Sequence, residues 1–428
     1  MSRLARIIVA MFFALALAEA VSLVERGARG YTDVGVFYRT AVMLRGGAGG
    51  ELYTRHDAVT DWPISLAPAG LALFQPLALF GSREASIGWA ILNVGFLGLS
   101  LFVLRRFLKS ACGPRFDVVF LWAAMLFVVL SAGSIQVGQF SVLFASCWIL
   151  FLSAFAAGSL LSAGMFLALP TAIKLYPVMM LAIPISLARS ARVGVRTLIG
   201  SMLGIVLFSA LVPALVYGSR AWDLSASFWH DVILSPTGQV AYMQTLRAAN
   251  QSLDALLLRY LTYDAAFHPQ VAAMPHLQLA REQVLRYADV ARVLIFLSTV
   301  ASVWRWRRHR ETFRARDLLM IAALWSCTLY LMLPETKARY AVYTFLGFLP
   351  LLEAAVGDDT RPAARARFFQ AAQVVLCLIL IVGLVPELVK VYGLGFIGAF
   401  VLWLANLRLV WNEQALGVRL WAFAEASA

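Results

Sequence analysis

The chain has 428 residues, 61% of them hydrophobic and only 14% charged, with a mean hydropathy of +0.78; a soluble domain carries ~25% charged residues. Long apolar runs recur from end to end, which excludes a soluble domain with a single anchor, and no polar stretch is long enough to form a soluble domain. The net charge of +13 does not mark nucleic-acid binding, because the arginines gather in short links between apolar runs and no basic patch interleaves with aromatics on a soluble fold.

At the N-terminus, Arg3 and Arg6 precede an apolar run in which Ala16-Leu17-Ala18 resembles a signal-peptidase site. Apolar character continues to Val24, about 18 residues in all and enough to span a bilayer, so a retained first helix is expected over 7–24. Further spans are predicted over 85–104, 116–132, 139–157, 160–172, 175–188, 197–217, 288–304, 318–333, 341–356, 369–386 and 391–411. The pair 160–172 and 175–188 is too short for two crossings at about 1.5 Å per residue. Pro170, Pro177 and Pro184 interrupt it. It reads as a hairpin of short or broken helices, which membranes tolerate where backbone lines a protein cavity.

The stretch 64–80 is apolar but carries Pro68 and Pro76 and follows Pro63. As a full span it would invert every later link, so it reads as re-entrant or interfacial. With the N-terminus inside, the cytoplasmic links hold Arg105, Arg106, Lys109 and Arg115; Arg189, Arg192 and Arg196; Arg305 through Arg316; and Arg361, Arg365 and Arg367. This obeys the positive-inside rule. It leaves 25–84 and 218–287 outside, where they contribute a site. The expectation is an all-α polytopic protein, one integral membrane domain over 1–428, with 10–12 transmembrane helices and both termini cytoplasmic. Cys112 falls at a helix end and Cys147, Cys327 and Cys377 inside apolar runs, with no CxxC pair; inert buried thiols are expected.

In the first outer segment, Gly30-Tyr31-Thr32-Asp33 runs on to Tyr38 and Arg39. A carboxylate at the membrane boundary can take a proton from an acceptor hydroxyl while a lipid-bound substrate stays in the bilayer. Asp33 is equally well placed to be the N-cap of a helix over 34–45. Gly133-Ser134-Ile135-Gln136-Val137-Gly138-Gln139-Phe140-Ser141, with two glycines and two glutamines interrupting apolar sequence, is either a polar hairpin turn or a source of amides aimed at a sugar or phosphate. Lys174, in Lys174-Leu175-Tyr176-Pro177, is the only lysine between Lys109 and Lys337. A cation so deep in apolar sequence is a functional candidate, a phosphate ligand by chemistry, or a side chain snorkelling to the interface.

The second outer segment holds Trp222, Trp229, His230, Asp231 and Asn250-Gln251-Ser252. The tryptophans suit an interface. His230 and Asp231 are not expected to form a dyad, since adjacent side chains usually point apart. The sequon match at Asn250 is weak. In Pro334-Glu335-Thr336-Lys337-Ala338-Arg339-Tyr340, Lys337 and Arg339 lie in an outer link, either as a short solvated turn or as ligands of an anion such as a lipid phosphate. There is no phosphate-loop motif, no HExxH and no His or Cys cluster with metal spacing; no metal and no cofactor are expected.

Together, Asp33 near the end of the first span, Tyr38, Leu52-Tyr53, the Pro-broken stretch ending in Leu73-Phe74-Gln75-Pro76-Leu77-Ala78, the Gln136–Ser141 motif, Lys174-Leu175-Tyr176-Pro177 and Asn250-Gln251-Ser252-Leu253 resemble glycosyltransferase family 87. The resemblance covers roughly residues 30–255; the last third is similar mainly in its spans. It implies a C-type glycosyltransferase fold in the plasma (inner) membrane. The implied activity moves a sugar, typically mannose, from a polyprenyl-phosphate donor to a lipid or glycan acceptor at the extracytoplasmic face, with inversion. By position Asp33 is the implied base. Tyr38, Arg39, Tyr53, Gln136, Gln139, Lys174, Tyr176, Asn250, Gln251, Lys337 and Arg339 are the candidate substrate ligands. Family members often carry histidine in the late outer loop, where this chain has Lys337 and Arg339. That departure bears on the identity of donor and acceptor.

The rivals are a transporter or lipid flippase, a polysaccharide polymerase or ligase using a pyrophosphate-linked glycan, and a non-catalytic scaffold. Broken helices also suit a transporter, but no internal repeat is evident. Ionisable residues within spans are few, Glu19 and Arg292 among them.

Overall fold

A computed structural model describes residues 3–112, 116–187, 191–235, 250–262, 277–308, 315–356, 364–382 and 392–425. Arg115, Arg189, Arg361, residues 309–314 and two stretches of the second outer segment, 236–249 and 263–276, lie outside the described residues, as do the side chains of Arg365 and Arg367.

The elements are helical throughout, with one isolated bridge, His56 to Pro63, among the described residues. In order they are α1 (Arg3–Ala28), α2 (Asp33–Arg45), α3 (Pro68–Phe74), α4 (Ser82–Cys112), α5 (Phe116–Val137), α6 (Ser141–Ala156), α7 (Leu160–Ile173), α8 (Ala182–Leu187), α9 (Ala191–Val206), α10 (Val212–Tyr217) and α11 (Arg220–Ser227). They continue as α12 (Leu253–Leu261), α13 (Arg281–Arg308), α14 (Ala315–Met332), α15 (Phe345–Val356), α16 (Ala364–Val382) and α17 (Leu394–Glu425). The protein is therefore an all-α polytopic membrane protein.

Five helical stretches among the described residues are long and apolar enough to cross a membrane: Ser82–Cys112, Phe116–Val137, Arg192–Tyr217, Ala315–Met332 and Leu394–Asn412. Each contains or closely matches a predicted span. The predicted hairpin is realised as short pieces, α7, the 3₁₀ turns of Tyr176–Leu181 and α8. Pro170 lies inside α7 and cannot donate a helical hydrogen bond; the helix stops a turn later. The stretch 64–80 holds only α3, seven residues, and a 3₁₀ turn over Leu77–Leu79. At about 1.5 Å per residue neither can cross. The predicted span over 341–356 is shorter than expected, because Ala338–Thr344 is 3₁₀ and the α-helix begins at Phe345.

Two compact units emerge. The first comprises 1–106, 124–181 and 195–245; the second 107–123, 182–194 and 246–428. In the first, α7 packs on α9 through small residues. A Cβ on Gly164 would lie 2.1 Å from the Thr197 carbonyl, and one on Gly200 2.2 Å from that of Leu161. Gly200 and Gly204 are four apart, the spacing that lets membrane helices meet backbone to backbone, and Ser201 Oγ donates to Gly164 O at 3.2 Å. In the second unit α14 is buried along nearly its whole length. Thr299 Oγ1 lies 2.7 Å from Thr328 Oγ1 and accepts from Trp403 Nε1 at 2.9 Å, and Asn406 donates to Gly347 O at 2.9 Å. Such polar ties join helices in lipid, where apolar contact alone gives little preference between helix and tail.

Candidate functional site

In the first unit the site is built around the start of α2. Thr32 is the N-cap: its Oγ1 accepts from Gly35 N at 3.3 Å from an extended backbone. The capping role considered for Asp33 thus belongs to its neighbour, because the helix begins one residue earlier than expected. Asp33 is the first helical residue and is 5% exposed. A carboxylate in a first turn also benefits from the positive end of the helix dipole.

The Gln136–Ser141 motif packs directly on this turn. Val137 ends α5, Gly138 turns the chain with φ +73°, and Ser141 opens α6. A Cβ on Gly138 would lie 2.6 Å from Val34 Cβ, and its carbonyl accepts from Trp89 Nε1 at 2.9 Å. Gln139 is 3% exposed, and neither its Oε1 nor the Ser134 hydroxyl has a hydrogen-bond partner among the described residues. An unpaired buried polar atom costs about 1–3 kcal/mol, and both Gln139 and Ser134 are buried rather than solvated. Gln136 is half-buried on the last turn of α5.

Ring contacts link this turn to the Lys174 corner. Phe37 meets Phe140 at 5.4 Å, Phe140 stacks on Phe144 at 6.2 Å, and Phe144 meets Tyr176 at 6.3 Å. Lys174 Nζ sits 6.0 Å from the Tyr176 ring centroid. Lys174 is the C-cap of α7, where the helix dipole favours a cation. Ala67 N donates to Ile173 O at 3.4 Å, which sets the entry to α3 beside this corner.

Arg39 and Tyr53 are engaged elsewhere in the same unit. Arg39 grips Asp57 with two bonds, Nε to Oδ1 at 2.7 Å and NH2 to Oδ2 at 2.6 Å, and also donates to Gly30 O at 3.0 Å. Burial pushes the Asp57 carboxyl up, but the hydrogen bonds from Arg39 and Thr60 outweigh it and hold the group at about 2. Through its bond to Gly30 O, Arg39 ties this pair to the turn that leads into α2. Tyr53 OH donates to Leu66 O at 3.1 Å, Tyr38 OH to Phe80 O at 2.9 Å, and Gln75 Nε2 to Ala41 O at 3.1 Å. His230 and Asp231 do meet, Nδ1 to Oδ1 at 2.7 Å, contrary to expectation. They lie in a π-helical turn with the His230 side chain 84% exposed, where it is free to fold back on its neighbour.

In the second unit Asn250 is buried, which removes it as a sequon. Its Oδ1 accepts from Ser252 N at 3.0 Å and Thr336 N at 3.2 Å. Gln251 N donates to Thr336 O at 2.6 Å, and Gln251 Oε1 accepts from Gly395 N at 3.1 Å. Pro334, Glu335, Lys337 and Arg339 are half-buried rather than set in a solvated turn. Lys337 pairs with Glu335, Thr336 is 1% exposed, and Arg339 lies 5.6 Å from the Tyr340 ring centroid. Residues not singled out from the sequence are Thr32, Asp57, Ser134 and Arg259. Only Thr32 carried a local signal, a hydroxyl three residues before a helical amide. No group of His, Cys, Asp or Glu that could hold a metal occurs among the described residues.

The model of glycosyltransferase family 87 matches residues 67–334. The chain belongs to that family. The match takes in Gln136, Gln139, Lys174, Tyr176, Asn250 and Gln251; Asp33, Tyr38, Arg39, Tyr53, Lys337 and Arg339 lie outside it. Comparisons with curated proteins and with solved structures give no significant match. A family 87 glycosyltransferase in a membrane needs a sugar donor and an acceptor, and the protein is an enzyme of that class.

Proposed function

We propose that this family 87 glycosyltransferase, of the C-type fold, transfers a sugar, with mannose the first donor to test, from polyprenyl phosphate to a lipid or glycan acceptor. The reaction runs at the extracytoplasmic face of the plasma membrane, with both termini cytoplasmic, and Asp33 is the general base. The observation that carries this reading is the burial of Asp33 on the first turn of α2, a helix whose N-cap is Thr32 and whose next residue, Val34, packs on Gly138.

An acceptor hydroxyl oxygen attacks the anomeric carbon of the donor as its proton passes to the Asp33 carboxylate. The bond from the anomeric carbon to the phosphate oxygen breaks, and polyprenyl phosphate leaves with one more negative charge than it had in the diester. Lys174, at the corner where α7 ends, is placed to offset charge developing on that oxygen. Because phosphate leaves without an acid, one carboxylate suffices for a single inverting displacement, unlike the paired carboxylates of glycosidases. Gln139 Oε1 and Ser134 Oγ, buried without partners among the described residues, are ligands for sugar hydroxyls, the Oε1 as acceptor and the Oγ as acceptor or donor, with Gln136 nearby in sequence. In the second unit, Lys337 and Arg339 lie in a loop whose fitting ligand is a lipid-linked phosphate.

The test is transfer from labelled polyprenyl-phosphate mannose, and from glucose- and arabinose-type donors, by purified protein in sided proteoliposomes with a membrane lipid extract as acceptor. Product formed only with donor on the extracytoplasmic side supports the reading. Product formed only from sugar nucleotides or pyrophosphate-linked glycans would overturn it.

A further inference from the structure

We propose that Arg259 is a positioning residue that braces the Pro334–Arg339 loop and so holds Lys337 and Arg339 ready for an anionic group of the lipid substrate. This rests on the reading of that loop as a phosphate ligand. Arg259, on α12, has no exposed surface and donates through NH2 to the Asn250 carbonyl. Burial pulls its guanidinium down to about 10, still protonated at neutral pH.

From Asn250 the restraint passes to one residue of the loop. Thr336 N donates to Asn250 Oδ1 at 3.2 Å, and Thr336 O accepts from Gln251 N at 2.6 Å. Both polar groups of the Thr336 peptide are therefore held, and Thr336 lies between Glu335 and Lys337, which pair with each other. Gln251 is fixed in turn by Gly395, where an added Cβ would come within 3.1 Å of the Gln251 side chain. Burying a charged side chain is costly, and an uncharged donor could satisfy one carbonyl. A fixed, planar guanidinium supplies rigidity that lysine cannot match, which suits a loop that must present two cations in register.

The test compares Arg259→Lys and Asn250→Ala with Lys337→Met and Arg339→Met. Transfer kinetics with polyprenyl-phosphate mannose, melting temperature, and hydrogen exchange of the peptide containing Thr336 are read for each. Arg259→Lys is expected to raise the donor KM about tenfold with kcat within about twofold, and to speed exchange at Thr336. In a Lys337→Met background its further effect on KM should shrink, since residues acting through one another are not additive. Unchanged exchange at Thr336 in both Arg259→Lys and Asn250→Ala, or kcat falling with KM unchanged, would overturn the proposal. If Arg259→Lys does not fold, Arg259→Gln, which keeps a donor for the Asn250 carbonyl without the guanidinium, decides by the same readouts. If Lys337→Met and Arg339→Met leave the donor KM unchanged while exchange at Thr336 still rises, the phosphate reading of the loop fails and the bracing stands.

Discussion

The Thr32 hydroxyl accepts the amide of Gly35 at 3.3 Å, so the helix that begins with Asp33 is capped from the residue before it. Removing that cap should loosen the turn without touching the carboxylate. Thr32→Ala is expected to cost about 1 kcal/mol of stability and to lower kcat. Thr32→Ser, which keeps the acceptor, should restore both. Thermal melts in detergent alongside transfer rates check this.

Gly138 turns with φ +73° against Val34. Gly138→Ala adds both backbone strain, of order 1–3 kcal/mol, and a clash with the residue next to Asp33. Val34→Gly in the same chain, which removes the Cβ met at 2.6 Å, should relieve that clash but not the strain, giving partial rescue of activity. Full rescue would mean that the φ value does not matter.

Gln139 buries a carbonyl oxygen that has no partner among the described residues, a cost that binding a sugar hydroxyl would offset. Gln139→Leu should leave the melting temperature equal or higher, in line with relief of about 1 kcal/mol or more. It should also lower kcat/KM for the donor about tenfold or more. A variant that loses stability and activity together would point to a purely structural role.

Asp57 titrates at about 2 rather than its ordinary 3.8. A carboxyl lowered on folding contributes stability that is fully present above its unfolded pKa and lost as pH falls through the folded one. The melting-temperature difference between the native chain and Asp57→Asn should therefore be constant from pH 7 to 5. It should narrow below about pH 4 and vanish near pH 2. Arg39→Lys, which keeps charge but loses the bidentate grip on Asp57, should shrink the difference as well.

The spans were legible because hydropathy over some 20 residues is a strong signal, and α4, α5 and α14 lie where Ser82–Cys112, Phe116–Val137 and Ala315–Met332 read as apolar. The broken hairpin was legible from Pro170, Pro177 and Pro184, and α3 from the prolines around it. Partners were not. That Arg39 binds Asp57 rather than standing open, that Asn250 holds the Thr336 amide across 86 residues, and that Arg259 is fully buried all depend on contacts remote in sequence. Composition and spacing carry no record of them. The meeting of His230 and Asp231 escaped for a different reason: a π-helical turn is not visible in a short apolar-polar pattern.

The central claim is that Asp33 takes the acceptor proton. It is tested most directly by single-turnover transfer from polyprenyl-phosphate mannose with Asp33→Asn, an isosteric change that keeps the helix and its Thr32 cap. Donor binding and melting temperature should stay near those of the native chain while the rate of the chemical step falls by at least about a hundredfold. Transfer at near-native rate in a folded, donor-binding Asp33→Asn protein would contradict the assignment.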